Sequence, residues 1–267
     1  MPPTGFELIS RNGRAITTID EWRNELDKRE QMKFVPGYSA YETARAWTEP
    51  NRVPAEVAAL FERPPLEGFQ LERAVVEAKT WFDRYGGPRY HDLLLTARDD
   101  TGQVAVIGVE SKVNEDFGGT LAGEHGLAVA RGVRVSYVSK FPARLHDLSV
   151  ALLNRDLGPE EPYDPRDKDL RYQLLSALAG TLVEAGVAHA DQAVLLVHEF
   201  QTPLTKTTVE KRSSRRIEEL LSRFGRDPTD QLPLGQPLGP FKVRGGGKIP
   251  LEKTFYVAKV RTIVDIE

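Results

Sequence analysis

Three charged residues bracket two apolar runs in the stretch from His91 to Gly118, HDLLLTARDDTGQVAVIGVESKVNEDFG. Asp92 opens LLL, and Glu110 and Lys112 close VAVIGV. Charges at the ends of strands built for burial are costly unless they serve one another or a metal. If the two runs pair through RDDTG, whose Asp and Gly residues suit a tight connection, Asp92 and Glu110 meet at the open end of a hairpin. Side chains alternate along a strand, so Lys112 shares a face with Glu110 while Ser111 points away. Two carboxylates and the backbone carbonyl of Ser111 form a hard-oxygen set suited to Mg²⁺ or Mn²⁺, because Mg²⁺ takes one or two carboxylates and keeps several waters. Such an ion generates hydroxide and neutralises a phosphorane-like transition state. A lysine beside it orients or activates the attacking water.

The rest of the chain must position these groups. With 267 residues, 40% of them hydrophobic, it can bury a sizeable core. There are no cysteines, which removes disulfides and thiolate metal sites. MPPTGFELISRNG lacks the pattern of a secretion signal and no apolar run reaches membrane-spanning length, so the expectation is a cytoplasmic protein of bacterial origin with no membrane partner. A net charge of −3 argues against coating nucleic acid, though a local basic face beside an acidic metal site is compatible with it.

Thr18-Ile19-Asp20-Glu21 has capping-box spacing and predicts a helix through WRNELDKRE; further helices are expected at SAYETARAW and from Pro54 to Glu62. Val75 to Phe82, Leu93 to Ala97 and Val104 to Val109 read as three strands. A short helix is expected from Leu145 to Asn154, then a Pro- and Asp-rich loop. Leu170, Leu174, Leu175, Leu178 and Leu182 recur at helical spacing, with Gly186 as terminator. AVLLVHEF from Ala193 to Phe200 reads as a central strand buried on both faces, followed by a basic amphipathic helix, VEKRSSRRIEELLSRFGR, and a last strand, TFYVAKVRTIVDI. The expected architecture is one α/β domain over residues 1–267: a helical layer over 1–65, a core over 66–205 and an extension over 206–267.

Asp, then a hairpin, then Glu-x-Lys at the end of an apolar strand resembles the PD-(D/E)XK, or restriction-endonuclease-like, nuclease superfamily. KFVPGYSAYETARAW, the segment around Glu77, HDLLL, VIGVESKVNEDFG and LRYQLLSA together are similar to an uncharacterised bacterial family within it. The resemblance spans roughly residues 30 to 200. It implies a core of helix, three-stranded meander, helix and strand, with a central mixed sheet flanked by helices. It implies a Mg²⁺-dependent phosphodiesterase acting on nucleic acid, DNA before RNA, with Asp92 and Glu110 as metal ligands. Glu77 matches the accessory acid found in many members better than Glu72 does. Gln173, in Arg171-Tyr172-Gln173, matches a glutamine-centred helical motif, and Arg171 is then a candidate phosphate contact. Dimerisation is common in the superfamily, which leaves a homodimer open. His91 stands where proline is expected before the aspartate. The alternative reading is a catalytically inactive module that binds or regulates, for instance in a bacterial defence system; a third is an ion-pair cluster with a structural role.

Other features are weighed less heavily. Lys211, Arg212, Arg215, Arg216, Arg223 and Arg226 could follow a phosphate backbone, yet Glu210, Glu218 and Glu219 on the same helix favour a solvated charged face. Glu115 and Asp116 read as a solvated loop. GGGK at 245–248 lacks the first glycine and the final Ser or Thr of a phosphate-binding loop, and His91, His125, His146, His189 and His198 show no zinc spacing.

Overall fold

Val104–Val113 and Gln192–Gln201 are the two strands whose apolar runs leave almost no residue exposed, and the sheet is built outward from them. The computed structural model describes residues 5–49, 53–203, 205–227 and 229–265, the side chains of 209 and 210 excepted. In chain order the elements are β1 (Glu7–Ser10), α1 (Ile19–Arg23), α2 (Lys28–Gln31), α3 (Ser39–Thr48), α4 (Ala55–Ala58), β2 (Gln70–Thr80), β3 (Arg89–Arg98) and β4 (Val104–Val113). Then follow α5 (Leu121–Val135), α6 (Phe141–Leu153), α7 (Tyr172–Val187), β5 (Gln192–Gln201), α8 (Thr207–Ser222), β6 (Leu238–Lys242) and β7 (Thr254–Ile263).

The seven strands form one mixed sheet in the order β1-β2-β3-β4-β5-β7-β6. β2, β3 and β4 are an antiparallel meander, whereas β4, β5 and β7 run parallel, and the chain between β4 and β5 crosses over through α5, α6 and α7. The β3–β4 turn closes as its residues dictate: Asp99 Oδ1 accepts the backbone N–H groups of Thr101 and Gln103 at 2.9 and 2.8 Å, and Gly102 has φ +89°. One face of the sheet packs on the N-terminal helices, where Trp22, Trp47 and Leu60 join Leu93, Leu95, Ile107 and Val109. The other face packs on α6, α7 and α8, where Leu174, Leu178 and Leu182 meet Val106, Leu195 and Val197. Among the described residues no helix is long and apolar enough to cross a membrane.

Several boundaries differ from the sequence reading. The capping box forms, with Glu21 N–H donating to Thr18 Oγ1 at 3.2 Å, but α1 ends at Arg23 because Asp27 starts a new helix by accepting the N–H groups of Arg29 and Glu30. The first meander strand covers 70–80 rather than 75–82, since β1 and β3 pair with it on both sides. The expected helix from Leu145 to Asn154 starts earlier, at Phe141, helped by Pro142 in its first turn. α7 runs past Gly186 to Val187. α5 was not expected: Gly123, Gly126 and Gly132 weaken its helical signal. The edge strands β1 and β6 are short, and the latter lies in a Pro/Gly-rich stretch. The expected last strand extends to Ile266, which lies outside the described residues, as do the first four residues of the N-terminal segment and the side chain of Glu210.

Candidate active site

The paired register of β3 and β4 runs from Arg98–Val104 to Leu93–Val109 and stops, which leaves Asp92 and Glu110 at the next position, the open end of the hairpin. Asp92 does not simply continue the strand. Its Oδ2 accepts the backbone N–H of Ser111 at 2.6 Å, so the carboxylate takes a hydrogen-bonding place at the end of the ladder.

Side-chain alternation turns over at this point in two strands at once. In β2, Ala74 and Val76 lie in the core under the N-terminal helices, yet Thr80 donates to Glu184 Oε1 of α7 at 2.6 Å. Residues of equal parity therefore sit on opposite faces, and between them Glu77 has φ +51°. In β3, Leu93, Leu95 and Ala97 face the N-terminal helices, whereas Arg89 and His91 lie against α7. Register places Glu77 opposite Asp92, between the pairs Val76–Leu93 and Ala78–His91. A positive φ at a non-glycine residue is a strained conformation that surrounding structure must enforce, and such residues gather at functional sites.

The inversion brings Arg89 onto the face of Glu110. Arg89 and Lys112 both pair with the Glu110 carboxylate, Lys112 at 2.7 Å, and the side-chain amide of Gln173 from α7 donates to the same oxygen that takes Lys112. Glu110 and Lys112 are 2% and 4% exposed. Lys112 Nζ also lies 5.3 Å from the centre of the Phe117 ring.

Electrostatics divide the three acids. Burial raises Asp92, and the charge of Glu110 raises it further, against the opposing Lys112 ammonium and the Ser111 N–H, to about 7. Glu77 is raised well above the usual carboxylate range by burial and then by Asp92, while Arg11 partly opposes the shift. Burial also acts to raise Glu110, but Lys112 and Arg89 outweigh it and hold it below its ordinary value. Lys112 is held above its ordinary value because Glu110, Glu115 and Asp92 outweigh burial, so it stays an ammonium.

The structure therefore brings together Glu77, Asp92, Glu110, Lys112 and Gln173. Arg171 is committed elsewhere: it pairs with Asp116 at 2.9 Å and donates to the Gly118 carbonyl at 2.8 Å, tying the loop after β4 to the start of α7. Asp116 also meets Arg216 at 3.7 Å, so it belongs to this tie and not to a solvated loop. Arg215 and Arg216 both pair with Glu219, which makes their part of α8 a compensated charged face, and Arg212 is exposed beside them. Glu72 pairs with Arg98 at 3.2 Å, away from the site. His91 is buried with neither ring nitrogen hydrogen-bonded; burial and then Arg89 push it down to about 3, so it is a neutral packing group. Lys248 of GGGK donates to the Trp81 carbonyl at 2.9 Å.

Arg89 was missed because regular alternation puts it on the wrong face. A second group was missed for want of any motif. Register carries the charged row from Lys112 to Glu199 and then to Arg261, and buried Lys259 meets Glu199 at 3.0 Å and Ser214 Oγ of α8 at 2.9 Å. AKVR at 258–261, a lysine and arginine two apart in an apolar strand, was the available signal.

Among the described residues no group of three or more His, Cys, Asp or Glu side chains is disposed to hold a metal ion. The donor chemistry nevertheless suits a hard divalent cation at two of the acids. Burial raises both Glu77 and Asp92, and a neighbouring carboxylate, Asp92 for Glu77 and Glu110 for Asp92, raises each further, so a cation relieves that repulsion as a proton does. Glu110 is different, since both of its oxygens already carry cationic or amide donors.

No curated protein and no solved structure matches the chain. A family model described as a domain of unknown function, DUF6946, matches residues 15–239, and the chain belongs to that family.

Proposed function

We propose that this protein is a metal-dependent phosphodiesterase that cleaves nucleic acid, DNA in preference to RNA, on a restriction-endonuclease-like core. The observation that carries the reading is the meeting of Glu77, Asp92, Glu110 and Lys112 where β2 and β3 turn over beside the end of β4. The element order supports it: a three-strand meander, α7 packed behind it, and β5 added parallel to β4.

Asp92 and Glu77 would hold Mg²⁺ or Mn²⁺, with the Ser111 carbonyl as a further oxygen donor and Glu110 joining only by giving up one of its present partners. Bound there, the ion supplies Lewis-acid polarisation of a phosphoryl oxygen and a more acidic water. The chain's own groups do the rest. Lys112, an ammonium fixed by Glu110, places positive charge where the transition state gains negative charge, and it orients water rather than accepting its proton. Gln173 and Arg89 set the position of Glu110, and through it that of Lys112.

The test is cleavage of single- and double-stranded DNA and RNA in Mg²⁺ or Mn²⁺. Lys112→Ala and Asp92→Ala are each expected to lower the rate by about 10²-fold or more with unchanged circular dichroism. Wild-type rates in these variants would defeat the assignment. One observation favours a second reading, a nuclease-like module without catalysis: the Glu110 carboxylate is saturated by Arg89, Lys112 and Gln173. That reading expects no Mn²⁺ binding and no cleavage, with nucleic-acid or protein binding retained.

A further inference from the structure

A groove of about 360 Å³ lies where the connection between β2 and β3 meets α5 and the start of α6. Its walls carry the rings of Tyr85, Tyr137 and Phe141 and the cations Arg131, Lys140 and Arg144, with Glu124 as the one carboxylate among the described lining residues. Arg144 is committed to Asp83 at 2.6 Å and donates to the Tyr172 hydroxyl at 3.4 Å. Arg131 and Lys140 are exposed and make no ion pair among the described residues. Tyr85 donates its hydroxyl to Asp147 at 2.8 Å, with Arg84 over its ring, whereas Tyr137 is 57% exposed and has no ring partner among the described residues.

α5, which forms one wall, is unlike the other long helices. Of its 15 residues Leu121 alone is buried, while Leu127 and Val135, which line the groove, are each 60% exposed. Apolar surface of this kind on a cationic wall marks a surface for binding rather than for packing. The groove also adjoins the start of α7. Phe141 packs edge-on against Tyr172 with ring centres 4.9 Å apart, and Tyr172 directly precedes Gln173, the donor to Glu110.

We propose that this groove binds single-stranded nucleic acid and delivers it to the site at the start of α7. Arg131 and Lys140 would follow the phosphates, and Tyr137 and Phe141 would take unpaired bases on their faces, the combination that non-sequence-specific single-strand binders use. A duplex keeps its bases stacked on one another and offers none to these rings. The inference rests on the nuclease reading and adds the strand form of its substrate.

Fluorescence anisotropy with a fluorescein-labelled oligothymidylate in EDTA tests it, compared with a duplex of equal length and with polyglutamate as competitor. Wild type is expected to prefer the single strand. Arg131→Ala/Lys140→Ala is expected to bind about tenfold more weakly or worse, and to lower the slope of log K against log salt by about 1.4, from about 0.7 per phosphate contact. Tyr137→Ala is expected to weaken binding on the order of tenfold with the slope unchanged. Equal or tighter binding of duplex, displacement by polyglutamate at equal charge, or unchanged affinity in both variants would overturn the groove assignment. Because binding is read without metal, the two readings fail separately. Wild-type protein that cleaves while the groove variants bind normally defeats the groove alone. Protein that holds the oligonucleotide through the groove but cleaves nothing in Mg²⁺ defeats the nuclease reading alone.

Discussion

Glu77 and Asp92 face each other across β2 and β3 at the position where both strands exchange faces, and the charge of Asp92 adds to the burial that raises Glu77. The strained φ of Glu77 and the buried charge of Asp92 are two costs at one place. Apolar residues of ordinary conformation would cost less there, which makes the pair a candidate functional site.

A cation at this pair has to displace a proton. Mn²⁺ affinity is therefore expected to rise with pH through the neighbourhood of 7, where Asp92 ionises. Isothermal titration in two buffers of different ionisation enthalpy below pH 7 should show proton release on binding, and Asp92→Ala/Glu77→Gln should abolish the binding. Affinity independent of pH across this range would place the cation elsewhere.

Asp92 also makes stability pH-dependent. Its carboxyl is raised from an ordinary 3.8 to about 7, so between these values the folded protein holds a proton that the unfolded chain has lost. Stability from this group is full below about pH 4 and declines as pH rises to 7. Asp92→Asn keeps an oxygen for the Ser111 N–H and removes the charge. It is expected to stabilise the protein by about 1–2 kcal/mol above pH 7, a figure discounted for the partial exposure of Asp92, and to have little effect near pH 4. Thermal unfolding at both pH values checks the sign; destabilisation above pH 7 would mean that the charge is already compensated.

Much of this was legible in the sequence, because the hairpin register follows from RDDTG and the apolar runs. Asp92, Glu110 and Lys112 then fall together by counting, and the coarse α/β order follows from the long runs of β5 and α7. What counting could not show was the face inversion. Period-two alternation is assumed along a whole strand, and one residue in the left-handed region, Glu77, breaks it without a glycine to announce the break. Arg89 was hidden for that reason, and the tie of Arg171 to Asp116 was hidden because the loop that carries the acid has no period at all.

Arg89 is 9% exposed along its side chain and its partner Glu110 is 3% exposed, so neither charge can be left alone cheaply. Arg89→Ala is expected to destabilise the protein by about 3–5 kcal/mol, the range for breaking a buried pair from one side. Glu110 would then titrate at a higher pH than in wild type, since one of the two charges that hold it down is gone. Arg89→Lys should recover part of the stability. Urea unfolding of both variants measures this, and a loss below about 1 kcal/mol would show that Lys112 and Gln173 suffice to hold Glu110.

Gly180 on α7 exists to admit His91. A β-carbon at 180 would stand 2.6 Å from His91 Nε2, and the ring is fully buried and bounded on its other side by Gly108. Because this contact fixes how closely α7 approaches β3, it also fixes the reach of Gln173 to Glu110. Gly180→Ala is expected to cost about 1–3 kcal/mol through overpacking, despite the better helix propensity of alanine. Gly180→Ala/His91→Ala should then be less destabilised than the two single losses added together, because removing the ring makes room for the methyl group. Additive losses in that double-mutant cycle would mean that the ring and the glycine are not packed against each other.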